Sequence, residues 1–282
     1  MPKVAIVTDS TSYIPSEYLD QYPITVAPQI LIWGEETFED GVDIQPSAFY
    51  TRLKTAKIMP STSQVTPGKF QKIFGDLLER DYHVLALLVS EKLSGTIASA
   101  IQARESYPGA PIEIVDSYTT AMALGYQAIT VARASQEGAS LADCKTLAEQ
   151  ARQHTGVVFA VDTLEFLHRG GRIGGASRFL GTALSIKPIL EVVNGRVEAI
   201  ERVRTRQKSL ERLLEILQER IASRQPVRLA TLHAQAPEEA KTLLEMGKQR
   251  FVAVESIFSE VSPVVGTHAG PGTVGLAFMA GM

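Results

Sequence analysis

Hydroxyl side chains gather in this sequence at three places where one element gives way to the next. Asp9-Ser10-Thr11 ends the apolar run "KVAIVTD", Ser61-Thr62-Ser63-Gln64 lies between Pro60 and Pro67, and Ser94-Gly95-Thr96 follows "LLVSEKL". Hydroxyls, together with free backbone N–H groups at a helix N-terminus, donate hydrogen bonds to an anion. The same residues also serve as plain helix caps and turn formers, so each cluster alone leaves both readings open. The second cluster is the densest. Three hydroxyls and an amide between two prolines suit neither strand nor helix, so the segment reads as a loop. Thr66 follows as an N-cap and Pro67 as the first residue of a helix.

Two glycine-rich stretches add basic groups. In "LHRGGRIGGASRF" (Leu167 to Phe179) the adjacent Gly170 and Gly171 permit positive φ and close backbone approach, and Arg172 follows them. That is the composition of an anion nest with a guanidinium beside it, or of a glycine turn with a solvated arginine. In "VVGTHAGPGTVGLAF" the glycines 270, 272 and 275 match G-x-G-x-x-G, but only Leu276 to Met282 follow. That is too little chain for a βαβ unit, so a dinucleotide site is excluded. His268 in the same stretch is a candidate polar group or a structural histidine. The histidines at 83, 154, 168, 233 and 268 show no metal-ligand spacing, so no metal or other cofactor is expected. Neither a phosphate-cradling GxxxxGK[ST] loop nor a G-x-S-x-G nucleophile elbow occurs.

The elements that must position these groups differ between the two halves of the chain. In the first half, "KVAIVTD", "ITVAPQILIW", "HVLALLVS" and "IEIVDS" read as strands. Helical spacing in "SAFYTRLKTA", "GKFQKIFGDLLERD", "GTIASAIQARESY" and the region Thr120 to His154 separates them. Continuous apolar strands with intervening helices predict a mainly parallel α/β sandwich. In the second half, "KPILEVVNGRVEAIERV" predicts a hairpin turning at Asn194-Gly195. A helix from about Gln207 to Ser223, the strand "VRLATLHA", a helix from Pro237 to Arg250 and the extended "VAVESIFSEV" follow. This half predicts an α+β domain with a mixed sheet. The expected division lies near Thr155-Gly156, giving domains 1–155 and 156–282.

Bulk properties narrow the function classes. The chain has 282 residues, 45% of them hydrophobic, enough for two cores. Lys+Arg number 28 against 31 Asp+Glu, for a net charge of −3, which argues against a nucleic-acid partner. The single cysteine, Cys144, cannot form an internal disulfide and reads as helix packing in a reducing compartment. The N-terminal apolar run is too short for a signal peptide. Val261 to Met282 lacks charged residues, but Pro263, Pro271 and recurring glycines break it, so it reads as buried structure rather than a membrane insertion. The expectation is a cytoplasmic protein.

Taken together, the motifs resemble the DegV family of bacterial fatty-acid-binding proteins. The matching pieces are "VTDST" (Val7 to Thr11), "EDGVDI" (Glu39 to Ile44), "PSTSQ" (Pro60 to Gln64), "LSGT" (Leu93 to Thr96), "LEFLHRGGRI" (Leu164 to Ile173), "KPIL" (Lys187 to Leu190), "RVRTR" (Arg202 to Arg206) and "GTHAGPG" (Gly266 to Gly272). Val65 stands where a proline often follows the glutamine, and Arg169 where a lysine is common. The resemblance implies a long-chain fatty acid buried between the two domains. Thr62 and Ser94 would hydrogen-bond its carboxylate, with His268 and Arg172 nearby. Asp9, Ser10, Ser61, Ser63, Gly95, Thr96, Gly171 and Thr267 would support the loops. It further implies a carrier rather than an enzyme, one that in some members offers the acid to a separate fatty-acid kinase for acyl-phosphate formation. Arg202, Arg204 and Arg206 would lie on one face if their strand extends that far, as a docking row for such a kinase or as a solvated strand edge. The competing reading is an acyl-ester hydrolase or phosphotransferase using Ser94 or Thr62 with His268.

Overall fold

The computed structural model describes residues 3–181 and 186–282. In chain order its strands are β1 (Val4–Asp9), β2 (Ile24–Ala27), β3 (Ile30–Trp33), β4 (Glu36–Glu39), β5 (Ser61–Ser63), β6 (His83–Leu88), β7 (Ile112–Asp116), β8 (Thr155–Ala160), β9 (Lys187–Val193), β10 (Arg196–Val203), β11 (Val227–His233), β12 (Glu255–Ile257) and β13 (Val274–Ala280). The protein is a two-domain α/β structure, as its alternating patterns predict. In the N-terminal domain, β2-β1-β6-β7 form a parallel four-stranded sheet. Every residue of β1 is buried because helices cover both faces. Phe70 and Phe74 of the helix Pro67–Leu78 and Ala100 of the helix Thr96–Arg104 pack on Ala5, Val7, Val84 and Ala86. Val4, Ile6, Leu85 and Leu87 point the other way, toward the helices Ala121–Gln136 and Leu141–Ala151. Cys144 is fully buried in the second of these, and burial pushes its thiol up.

The C-terminal domain is a mixed six-stranded sheet in the order β10-β9-β8-β13-β11-β12. Its pairs are antiparallel except β11 with β12. The chargeless C-terminal segment becomes the short helix Pro263–Ala269 and then β13, wholly buried between β8 and β11, which accounts for much of its composition. Among the described residues no helix is long and apolar enough to cross a membrane. Helices Arg206–Ile221 and Pro237–Phe251 cover one face of this sheet. The other face meets the helix Ala121–Gln136, which also touches β1, so one helix is shared by both large sheets. Tyr126 in that helix donates to the carbonyl of Leu229 at 2.6 Å. The predicted hairpin forms at Asn194-Gly195, with φ of 48° and 81°, the left-handed pair its turn requires.

Two sequence expectations are corrected. The run Ile24 to Trp33 is two strands in different sheets, not one. Pro28 has no N–H to continue a ladder, and the Gln29 N–H donates instead to Ser10 Oγ at 3.0 Å. Ser61–Ser63 is not a loop but the edge strand β5. It pairs with β3 through Leu31↔Thr62 in a small sheet of order β4-β3-β5. Backbone pairing to a neighbour overrides the weak strand preference of serine, as context does for β structure generally. Thr66 and Pro67 open the next helix as expected, with Thr66 Oγ1 accepting from the Lys69 N–H at 3.2 Å.

Candidate functional site

Thr62 and His268, 206 residues apart, meet at 2.7 Å between Oγ1 and Nε2. The strand β5 explains half of this contact. Its pleat leaves Ser61 and Ser63 exposed and turns Thr62 inward. The short helix Pro263–Ala269 supplies His268 from its last turn. Burial, followed by the charge of Arg172, pushes this imidazole down to about 4, so it is neutral at pH 7. Its Nδ1 has no hydrogen-bond partner among the described residues. Gly170 lies directly against that nitrogen, and a Cβ on it would strike the ring.

Arg172 links the glycine turn to the third hydroxyl cluster. Its Nε donates to the Leu93 carbonyl at 2.9 Å and its Nη1 to the Gly170 carbonyl at 2.7 Å. Next to Leu93, Ser94 Oγ and Thr96 Oγ1 are 2.8 Å apart, and Thr96 accepts from Gln29 Nε2, also at 2.8 Å. Gly95 leaves room for the side chain of Gln64, whose Nε2 donates to Ser99 Oγ at 3.2 Å.

These groups stand at one end of a cavity of about 960 Å³, its mouth included. Thr62, Ser63, Ser94, Arg172 and His268 line it, and Val89, Leu93, Val157, Phe159, Val192 and Leu232 form much of the apolar wall. A second cavity of about 610 Å³ shares Thr62, Arg172 and His268 with the first and adds Ser61, Arg169 and Thr267. The shared residues therefore lie between the two spaces, the second of which is also lined by Leu53, Met59, Pro60 and Phe166. An anion held there would meet hydroxyl donors and one guanidinium, while its apolar remainder would face aliphatic side chains.

The sequence candidates divide into wall and scaffold. Thr62, Ser63, Ser94, Arg172 and His268 are brought together, and Thr11 joins the wall. Asp9 and Ser10 do not reach the cavity. Asp9 accepts from the N–H groups of Thr11 at 3.0 Å and Val89 at 2.7 Å, tying the ends of β1 and β6 together. Ser10 donates to Asp40 at 2.6 Å. Thr267 donates back to the Pro263 carbonyl at 2.8 Å, within its own helix. Gly171, at φ 70°, makes the turn that aims Arg172.

Asp40 is the important residue that sequence reasoning did not single out. It is 2% exposed and accepts from Ser10 and Ser262, each at 2.6 Å, and from the Val264 N–H at 3.3 Å. Burial pushes its carboxyl up to about 6. It fastens the first hydroxyl cluster to the helix carrying His268. It lies within "EDGVDI", but an aspartate beside a glycine reads as a turn.

The arginine row is corrected. β10 ends at Val203, and Thr205 caps a helix beginning at Arg206, so Arg202, Arg204 and Arg206 share no strand face. Arg202 sits over the Phe179 ring at 4.8 Å, Arg206 pairs with Glu239 at 3.3 Å, and Arg204 is exposed.

The family model described as "Uncharacterised protein, DegV family" matches residues 3–281. A DegV domain-containing protein of Streptomyces coelicolor is 36% identical over 275 residues, 97% of each chain. A solved structure from Thermus thermophilus, described as fatty acid binding of a DegV family protein, superposes with a TM-score of 0.93. It is 33% identical and covers 99% of both chains. DegV of Bacillus subtilis, described as a fatty acid binding protein, superposes with a TM-score of 0.90 at 32% identity, covering 99% of this chain and 100% of its own.

Proposed function

Starting from a chain that belongs to the DegV family, we propose that it binds a long-chain fatty acid in the 960 Å³ cavity. The carboxylate lies toward Thr62 and Ser94, with Arg172 supplying the positive charge and neutral His268 a hydrogen bond. The observation that carries this reading is a cavity wall that sets the hydroxyls of Thr62 and Ser94 and the Arg172 guanidinium among mostly apolar side chains. Solved relatives described as fatty-acid-binding support it. The ligand lies between two domains divided near Thr155-Gly156, and a carrier of this kind works in the cytoplasm. We further propose that the acid is presented to a separate fatty-acid kinase through the second cavity, which meets the head-group residues from outside and is flanked by Arg169. This chain has no phosphate-cradling loop, and phosphoryl transfer depends on such positioning and charge stabilisation. The partner therefore brings nucleotide and metal, and the carrier itself contributes no catalytic step.

One observation favours a second reading. The 2.7 Å contact between Thr62 and His268 is the spacing of a nucleophile and its base, as an acyl-ester hydrolase or phosphotransferase would require. However, such a base needs a group behind it, and among the described residues His268 Nδ1 has none. Ser94 in turn pairs with the Thr96 hydroxyl, not with a base. Native mass spectrometry before and after denaturing organic extraction separates the two. A stoichiometric long-chain fatty acid, roughly sixteen to eighteen carbons as the family resemblance implies, supports the carrier. Turnover of an acyl ester by protein that retains no acid supports the enzyme.

A further inference from the structure

The six-stranded sheet is split at one place. β8 stays paired with β13 as far as Thr155↔Met279, and β9 stays paired with β10 as far as Val193↔Arg196. Between β8 and β9 themselves the ladder stops at Val158↔Glu191. Continued by one rung, this register would set Val157 opposite Val192, but the rung is open. The hairpin tip beyond the open rung is held elsewhere. Lys92 Nζ donates to the Asn194 carbonyl at 2.7 Å, and Gly195 packs so closely on Ser90 that a Cβ would strike its hydroxyl. These contacts anchor the tip to the loop that carries Ser94.

The two valines of the open rung are also the place where the apolar cavity meets the outside. A third recess, open to solvent, lies at the split, and it shares Val157 and Val192 with the first cavity. It shares no lining residue with the second cavity, which meets the first at Thr62, Arg172 and His268. The apolar cavity thus has two distinct ends, a polar one at the head-group residues and an aliphatic one at the open rung. The arginines around the split are already engaged. Arg220 holds Glu191 at 2.9 and 3.0 Å, Arg152 donates to the Asp116 carbonyl at 2.7 Å, and Arg224 donates to the Gln153 carbonyl at 2.7 Å. Glu191 answers the charge of Arg220, while Arg152 and Arg224 are tied down by backbone carbonyls, and the apolar part of the lining is Val157, Val158, Val192, Val193 and Phe278.

Resting on the fatty-acid reading above, we propose that the ω end of the acyl chain lies at the Val157–Val192 rung. Chains longer than the enclosed cavity pass between β8 and β9 into the outer space. The upper limit on chain length is then set by an opening in the sheet rather than by a closed wall, and very-long-chain acids are accepted as ligands.

Val193 offers a test from outside. It lines the split but not the apolar cavity, is 39% exposed, and alternates with Val192 on the opposite face. Palmitic and behenic acids are titrated into wild type and Val193→Trp. Wild type should bind both. Val193→Trp should bind palmitic acid as wild type does and lose about tenfold or more for behenic acid, since losing the apolar contact of even two of its six additional methylenes is worth about that much. Equal behenic affinity in the two proteins overturns the proposal. A second measurement needs no variant: a nitroxide at the ω end of a bound acid should become accessible to a water-soluble relaxing agent at behenic length and stay shielded at palmitic length. Shielding at both lengths overturns the proposal. Uptake of palmitic but not behenic acid by wild type overturns this inference alone, whereas uptake of neither overturns the fatty-acid reading beneath it.

Discussion

Replacing Thr62 with valine removes a hydroxyl and keeps the side chain's shape. A neutral donor lost to a carboxylate costs about 1.5–3 kcal/mol, or roughly 10- to 150-fold in Kd. The acyl tail is worth far more. About fifteen buried carbons at ~0.8 kcal/mol each contribute on the order of 10 kcal/mol before association costs. The variant should therefore still bind palmitic acid, but more weakly. The substitution also removes the Thr62 partner, at 2.7 Å, from an imidazole whose other nitrogen already has none among the described residues. A loss of about 1 kcal/mol in stability should accompany the loss in affinity. Displacement of a fluorescent fatty acid by palmitic acid and by hexadecanol separates the head group from the tail. The acid should lose about tenfold or more while the alcohol, which carries no charge to hold, loses less. A palmitic acid affinity within about twofold of wild type would refute the reasoning. So would equal losses for acid and alcohol.

Ser94→Ala should weaken palmitic acid in the same direction as Thr62→Val, because both hydroxyls line the polar end; titration calorimetry checks it. Gly170→Ala should perturb binding more than a surface glycine change would, since its Cβ would displace His268; the His268 ring resonances should shift in an NMR spectrum, and unchanged resonances would contradict the packing. His233 is 3% exposed, with neither ring nitrogen bonded among the described residues, and burial pushes it down to about 4. The unfolded chain takes up this proton at the ordinary 6.5 and the folded one resists it. Wild type therefore loses about 2 kcal/mol through this group by pH 5. Asp40, raised to about 6, works in the opposite sense over the same range. His233→Phe should narrow the gap between urea midpoints at pH 7 and pH 5, and a gap as wide as in wild type would contradict the assignment. With a cognate kinase and ATP, Arg169→Ala should leave fatty-acid binding intact and reduce acyl-phosphate formation; unchanged transfer would count against presentation through the second cavity.

The parallel sheet, the Asn194-Gly195 hairpin and the helix opening at Pro67 were legible because each follows from local periodicity or turn chemistry. The strand β5 was not, since nothing within Ser61–Ser63 reveals that Ile30 to Ile32 lie alongside. The grouping of Thr62, Ser94, Arg172 and His268 came from the family resemblance rather than from residue chemistry. The contact it implies spans 206 residues and leaves no local trace. Asp40 escaped for the same reason, as its partner Ser262 is 222 residues away. The cavity wall is also silent in sequence, because a valine such as Val157 has the same pattern whether it faces a core or a ligand. The arginine row shows the opposite failure. Alternation is legible at Arg202 and Arg204, but the N-cap at Thr205 ends the extended segment before Arg206.

A crystal grown with palmitic acid brominated at its ω carbon tests the central claim most directly, because anomalous scattering marks one end of the chain. The account predicts the carboxylate within hydrogen-bond distance of Thr62 Oγ1 and Ser94 Oγ, and the bromine at the far end, beside Val157 and Val192. A bromine beside His268, or an empty cavity in protein saturated with the acid, would contradict it.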